Sequence, residues 1–120
     1  MADYAPKYLY GDQATGTASA AITGGQVLVV SGDGTVGPAG DAADVTVIGV
    51  AAQDAANGAR VSYFPRGKVH ISTTAGAVVA GNGVSAGAAG TVDDDAGSDP
   101  ILGVFLTSAA SGALAEWMEF

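Results

Sequence analysis

The residues here that could do chemistry are few, and they do not converge. His70 is the one imidazole in 120 residues, and there is no cysteine. A hydrolytic triad would need a serine and a carboxylate placed around His70, and no spacing in the chain places them. The expectation is a surface or interface imidazole. Thiolate metal sites and disulfides are excluded. A zinc centre, which needs several converging ligands, is not expected from a single histidine. Asp93, Asp94 and Asp95 with Asp99 offer hard oxygen ligands of the kind calcium takes, but they lack the ordered spacing and terminal glutamate of a calcium hand loop. They read as a solvated acidic loop. Glu116 and Glu119 could be imagined as an acid–base pair, yet three apart on a strand they face opposite ways. Ser31-Gly32-Asp33-Gly34 and Ala80-Gly81-Asn82-Gly83 carry no lysine and precede no helix, so they read as turns and not as phosphate loops. No enzyme, metal or cofactor is expected. Tyr63, Phe64 and Trp117 could form an aromatic platform for a sugar, which keeps a carbohydrate- or cell-binding β-module open as an alternative function.

The elements that would carry these residues are short strands. Gln26–Val30, Thr35-Val36, Val45–Val50, Arg60–Phe64, Lys68–Ser72, Ile101–Thr107 and Leu114–Phe120 alternate or run apolar, and Gly, Asn, Asp or Pro stands between them. On Lys68–Ser72, Val69 and Ile71 share one face, while Lys68, His70 and Ser72 share the polar one. On the last strand Glu116, Met118 and Phe120 share a face opposite Trp117 and Glu119. Apolar groups therefore fall on both sides, as in a strand covered on both faces or docked at an interface. No helix of three turns is convincing. The fold class expected is all-β, a small barrel or sandwich of about eight short strands with Gly-rich turns and little helix.

One cadence occurs twice. Ile48–Phe64 and Leu102–Phe120 both run aliphatic-Gly-Val, a polar pair, Ala-Ala, Asn or Ser, Gly-Ala, then a strand ending in aromatics. Gly49 and Gly103, like Gly58 and Gly112, are offset by 54 residues. Each half is too short to bury a core alone. The expected organisation is an arm over residues 1–20 and one β domain over 21–120 made of two related halves. The arm is anchored by Tyr4, Pro6, Tyr8, Leu9 and Tyr10 and continues into small polar residues. It could order against a partner or form an edge strand of the same domain.

Composition sets further bounds. The net charge is -8 with only four basic residues. Nucleic acid would be repelled over most of the surface. Three bases, Arg60, Arg66 and Lys68, lie close in sequence. They serve either strand-face solubility or contact with an acidic partner or neighbouring subunit, and Trp117 and Phe120 are further contact candidates. The 19 glycines and abundant alanine bury little area per residue, at roughly 25 cal/mol per Å². Partner surfaces could add what this core lacks. No membrane interaction is expected, because no apolar run approaches the roughly 20 residues of a spanning helix. The first residues do not read as a secretory signal, so the chain is expected to be made in the cytoplasm.

Gly24-Gly25-Gln26-Val27, Ile48-Gly49-Val50, Ala55-Ala56-Asn57-Gly58 with Val61, and Leu102-Gly103-Val104 together resemble the capsid decoration, or cement, proteins of tailed phages. The resemblance spans about residues 20 to 114. It implies a β-rich homotrimer on the outer capsid surface of a virion that binds the major capsid protein and bridges capsomers. It also implies an N-terminal arm that orders on the shell. Another minor head or tail component is a neighbouring alternative. The aromatic end Glu116-Trp117-Met118-Glu119-Phe120 departs from the family pattern.

Overall fold

The computed structural model describes residues 13–40, 46–94 and 101–120. Among them are ten strands and a single 3-10 turn at Ala88–Gly90. The first five strands are β1 (Ala14–Ala18), β2 (Val27–Gly32), β3 (Thr35–Pro38), β4 (Val47–Ala51) and β5 (Arg60–Pro65). They form a closed barrel in the order β1-β3-β2-β4-β5. The remaining strands are β6 (Val69–Thr73), β7 (Gly83–Ala86), β8 (Val92–Asp94), β9 (Gly103–Phe105) and β10 (Leu114–Glu119). They form a sheet in the order β6-β10-β9-β7-β8. That sheet curls until Thr74 and Val92 meet in a parallel bridge across its ends. All-β architecture with short strands and almost no helix is what the patterning predicts.

The second unit repeats the first, pairing by pairing. Ala18 faces Val36 in parallel, and Thr74 faces Val92 in parallel. Ile22 bridges Ala55, and Val78 bridges Ala109. Leu28 opposes Gly49, as Val84 opposes Gly103. Ala14 opposes Tyr63, as His70 opposes Trp117. The offset is 56 residues for β1, β2 and β3 and 54 for β4 and β5. The glycine shared by the two cadences has a steric cause. A Cβ on Gly49 would run into the Phe64 carbonyl, and one on Gly103 into the Met118 carbonyl. Two strands approach at the same point in both units, and only glycine fits there.

Three strands escaped the sequence pattern, and one of them, β7, begins at Gly83 inside a stretch read as a turn. Ala14–Ala18 falls inside the segment read as an arm, yet it forms β1 and pairs with both β3 and β5. Its residues are too small to announce a strand, and they are held by neighbours on both edges. Val92–Asp94 falls in the stretch read as an acidic loop, yet it forms β8 and pairs with β7. Tyr4, Pro6, Tyr8, Leu9 and Tyr10 lie outside the described residues, as do Asp95 and Asp99.

The two units divide their apolar volume differently. The first encloses Ala18, Ile22, Leu28, Val36, Ala51 and Val61. The second encloses Val78, Val84, Val92, Phe105 and Ala115, with Trp117 and Leu102 beside them. Phe105 stands where the first unit has Ala51, and Ala115 where it has Val61. A large residue on one strand is thus offset by a small one on the next, as packing at near-crystalline density demands. Val27, Ala39, Val47 and Val50 belong to the first barrel's strands and flanks but pack into the second cluster. They join the two units.

Candidate interaction surface

The alternation read on β6 holds, but its sense is inverted. Val69 and Ile71 point outward, Ile71 being 57% exposed, while His70 and Ser72 are buried. β10 does the same. Ala115, Trp117 and Glu119 turn inward, and Leu114 (65% exposed), Glu116 and Met118 turn out. In register, Val69 lies beside Met118, Ile71 beside Glu116 and Thr73 beside Leu114. Met118 in turn opposes Val104 on β9. The outside of these strands is therefore an aliphatic face with one carboxylate, Glu116, at its centre. Exposed apolar faces are a common site of protein–protein contact.

The polar residues are inside because each finds a partner there. Trp117 has no exposed surface, and its Nε1 donates to Ser72 Oγ at 3.0 Å. Ser72 Oγ donates onward to the Gly25 carbonyl at 2.8 Å. His70 Nε2 lies 3.0 Å from Glu119 Oε1, and its ring packs on Trp117 with centroids 5.2 Å apart. The Glu119 side chain is wholly buried, and Arg66 Nε stands 3.8 Å from Glu119 Oε2. A buried carboxylate is tolerated only when paired in this way. Burial of His70 within its own chain corrects the expectation of a surface or interface imidazole.

Trp117 is likewise corrected. It fills the second unit and cannot touch a shell or a subunit, and it leaves Tyr63 and Phe64 without the platform a sugar would need. Phe120 is exposed, its backbone N–H donating to the Leu102 carbonyl. Arg66 and Lys68 flank the His70–Glu119 pair, the Lys68 carbonyl accepting from the Glu119 N–H. Arg60 begins β5 and faces Thr17. It sits about 17 Å along that strand from Pro65, at roughly 3.3 Å per residue, so the three bases do not make one patch. Among the described residues, His, Asp and Glu do not gather in threes as a metal site requires. The aliphatic face was missed because a period of two gives parity without saying which side is wet.

The fold has a solved counterpart. The crystal structure of the head fiber gp8.5 N base of bacteriophage phi29 is similar to this chain with a TM-score of 0.73. The match covers 91% of this chain and 93% of that one at 18% sequence identity. The architecture of a phage head fiber base is therefore the architecture of this chain. No protein-family model matches the sequence, and no curated protein matches it.

Proposed function

We propose that this protein is a structural component of a tailed-phage virion, placed on the outer surface of the capsid, where it decorates the shell and braces neighbouring capsomers. The observation that carries this reading is the end-to-end fold match to a phage head fiber base. The resemblance of its glycine-valine cadences to decoration proteins points the same way. The chemistry is suited to it. Weak contacts repeated around a lattice gain from multivalency. In this reading the function is binding and not catalysis. The partners are the major capsid protein and other copies of this chain, with the homotrimer of the family as the expected assembly.

Residues Tyr4, Pro6, Tyr8, Leu9 and Tyr10 are the proposed latch onto the shell. An extended segment can add to an exposed sheet edge through its own backbone groups. The aliphatic face of β6 and β10 is the surface best provided for a second contact. Because β1 begins at Ala14, the test is deletion of residues 1–12 and no further. The truncated chain is expected to stay folded and to lose binding to heads of the encoding phage in a co-sedimentation assay. Undiminished binding would remove the latch from the mechanism. Cryo-electron microscopy of the particle that found the protein in the tail, or absent, would overturn the placement on the capsid.

A further inference from the structure

The joint between the two units is built from a plug and a socket, and each unit carries both. The plug is the turn Gly25–Val27 of the first unit. The socket is the seam of the second unit, between β6 and the 3-10 turn before β8. Gly25 lies against the Ile71 carbonyl and accepts the Ser72 hydroxyl. Gln26 Nε2 donates to the Ala89 carbonyl at 2.9 Å. Gly90 is hemmed in by Gln26, since a Cβ on Gly90 would come within 2.8 Å of the Gln26 Cβ. Behind the plug, Val27, Val47 and Val50 are buried against the second unit.

The repeat places an unused copy of each part on the surface. The second unit's plug is Gly81–Gly83. Gly81 has φ +91 against +90 at Gly25, yet no atom would crowd a Cβ there. Ile101, the counterpart of Val47, is 50% exposed where Val47 is 7% exposed, and Val79 beside the turn is also exposed. The first unit's socket is the seam between β1 and β3. Gly34 has the φ of +73 found at Gly90, and space stands open above it. A cleft of about 170 Å³ lies there, lined by Thr15, Gly16, Gly34, Thr35, Val36 and Tyr63 among others. The seam is closed at its end by a long bond, Thr17 N–H to the Gly34 carbonyl at 3.3 Å.

We propose that the joint inside the chain is repeated between chains: the Gly81–Gly83 turn of one copy seats in the β1–β3 seam of a second copy. The contact is head-to-tail, so copies close into a ring or continue as a filament. Gly16 stands where the second unit has Ser72, so the intermolecular joint lacks one hydroxyl bond and is weaker than the internal one. The proposal concerns contact between copies in solution and stands apart from the capsid reading.

Cysteine cross-linking tests it, because the chain has no cysteine of its own. By the offset of 56, the internal contact of Gln26 with Ala89 corresponds to Asn82 of one copy meeting Asp33 of the next. Chains carrying Asn82→Cys are mixed with chains carrying Asp33→Cys and treated with a short bismaleimide at high protein concentration. A covalent dimer is expected in the mixture and in neither variant alone. A chain carrying both changes should give a ladder, and a ladder stopping at three copies is the homotrimer. The pair Gln26→Cys with Ala89→Cys, cross-linked within one chain, confirms that the reagent spans the joint. No cross-link in the mixture while this internal pair reacts would overturn the proposal. So would dimers from Asn82→Cys alone, or a monomer by light scattering at every concentration.

Discussion

Trp117 Nε1 and Ser72 Oγ are 3.0 Å apart, and Ser72 passes the interaction on to the Gly25 carbonyl in the other unit. One hydroxyl thus satisfies a buried indole and ties the two units together. Ser72→Ala removes the acceptor and strands the indole N–H. The expected cost is about 1–3 kcal/mol, the usual penalty of an orphaned buried donor, read as a lower midpoint in urea unfolding.

Trp117→Ala goes further, because the side chain is fully enclosed. A loss of about 3–5 kcal/mol is expected for a large aromatic cut to a methyl. Against an ordinary total stability of about 5–15 kcal/mol, that is a large fraction. Trp117→Phe keeps most of the volume and should retain the far-ultraviolet β signature while melting earlier. Native-like stability in the alanine variant would show that the tryptophan is not a core residue.

His70 and Glu119 form a buried pair, with Arg66 at its open side. His70→Ala leaves the buried Glu119 carboxylate with Arg66 alone at 3.8 Å, and Glu119→Ala leaves a buried ring nitrogen without its partner, so each is expected to cost about 1–3 kcal/mol. Replacing both with leucine should cost clearly less than the two single changes added together. A double-mutant cycle by chemical denaturation measures the difference, and strict additivity would refute the pairing.

The glycine pairs separate two kinds of constraint. Gly49→Ala and Gly103→Ala both drive a Cβ into a carbonyl on the adjacent strand, so the soluble folded fraction is expected to fall steeply. Gly58→Ala meets no atom but holds φ +86, and a milder loss of about 1–2 kcal/mol is expected from the left-handed backbone alone. Thermal melts of the three variants side by side give the ranking.

Ile71→Ser and Leu114→Ser change the exposed aliphatic face. Their stability is expected to stay within about 0.5 kcal/mol of the parent, as for ordinary surface changes. Binding to phage heads should weaken in co-sedimentation. Unchanged binding by the double variant would take this face out of the proposed contact.

The sequence foretold the strands that have both apolar residues and glycine turns. β4, β5, β9 and β10 are legible because the same close approach at Gly49 and Gly103 recurs with the same turn after it. β1 was hidden because Ala-Thr-Gly-Thr-Ala has no large side chain. Its place is assigned by β3 and β5, which lie far from it in sequence. β8 was hidden because Val92 is followed by two aspartates. On β6 the alternation was right and the inside was wrong. His70 and Ser72 look solvent-facing until Glu119 and Trp117, nearly fifty residues on, arrive opposite them. Partners distant in sequence set the sense of a strand, and local pattern cannot supply them.

The unequal filling of the two units has a consequence for how the molecule can be rearranged. In the second unit Phe105 opposes Trp117 and Ala115 opposes Ser72, whereas in the first Ala51 opposes Tyr63 and Val61 opposes Gly16. A chimera made of two leading halves would keep every strand and turn, yet it would lose the hydroxyl that grips Gly25 and the aromatic bulk around it. The duplicated halves have become a leader and a follower, and the molecule has acquired a direction that its strand diagram alone does not contain.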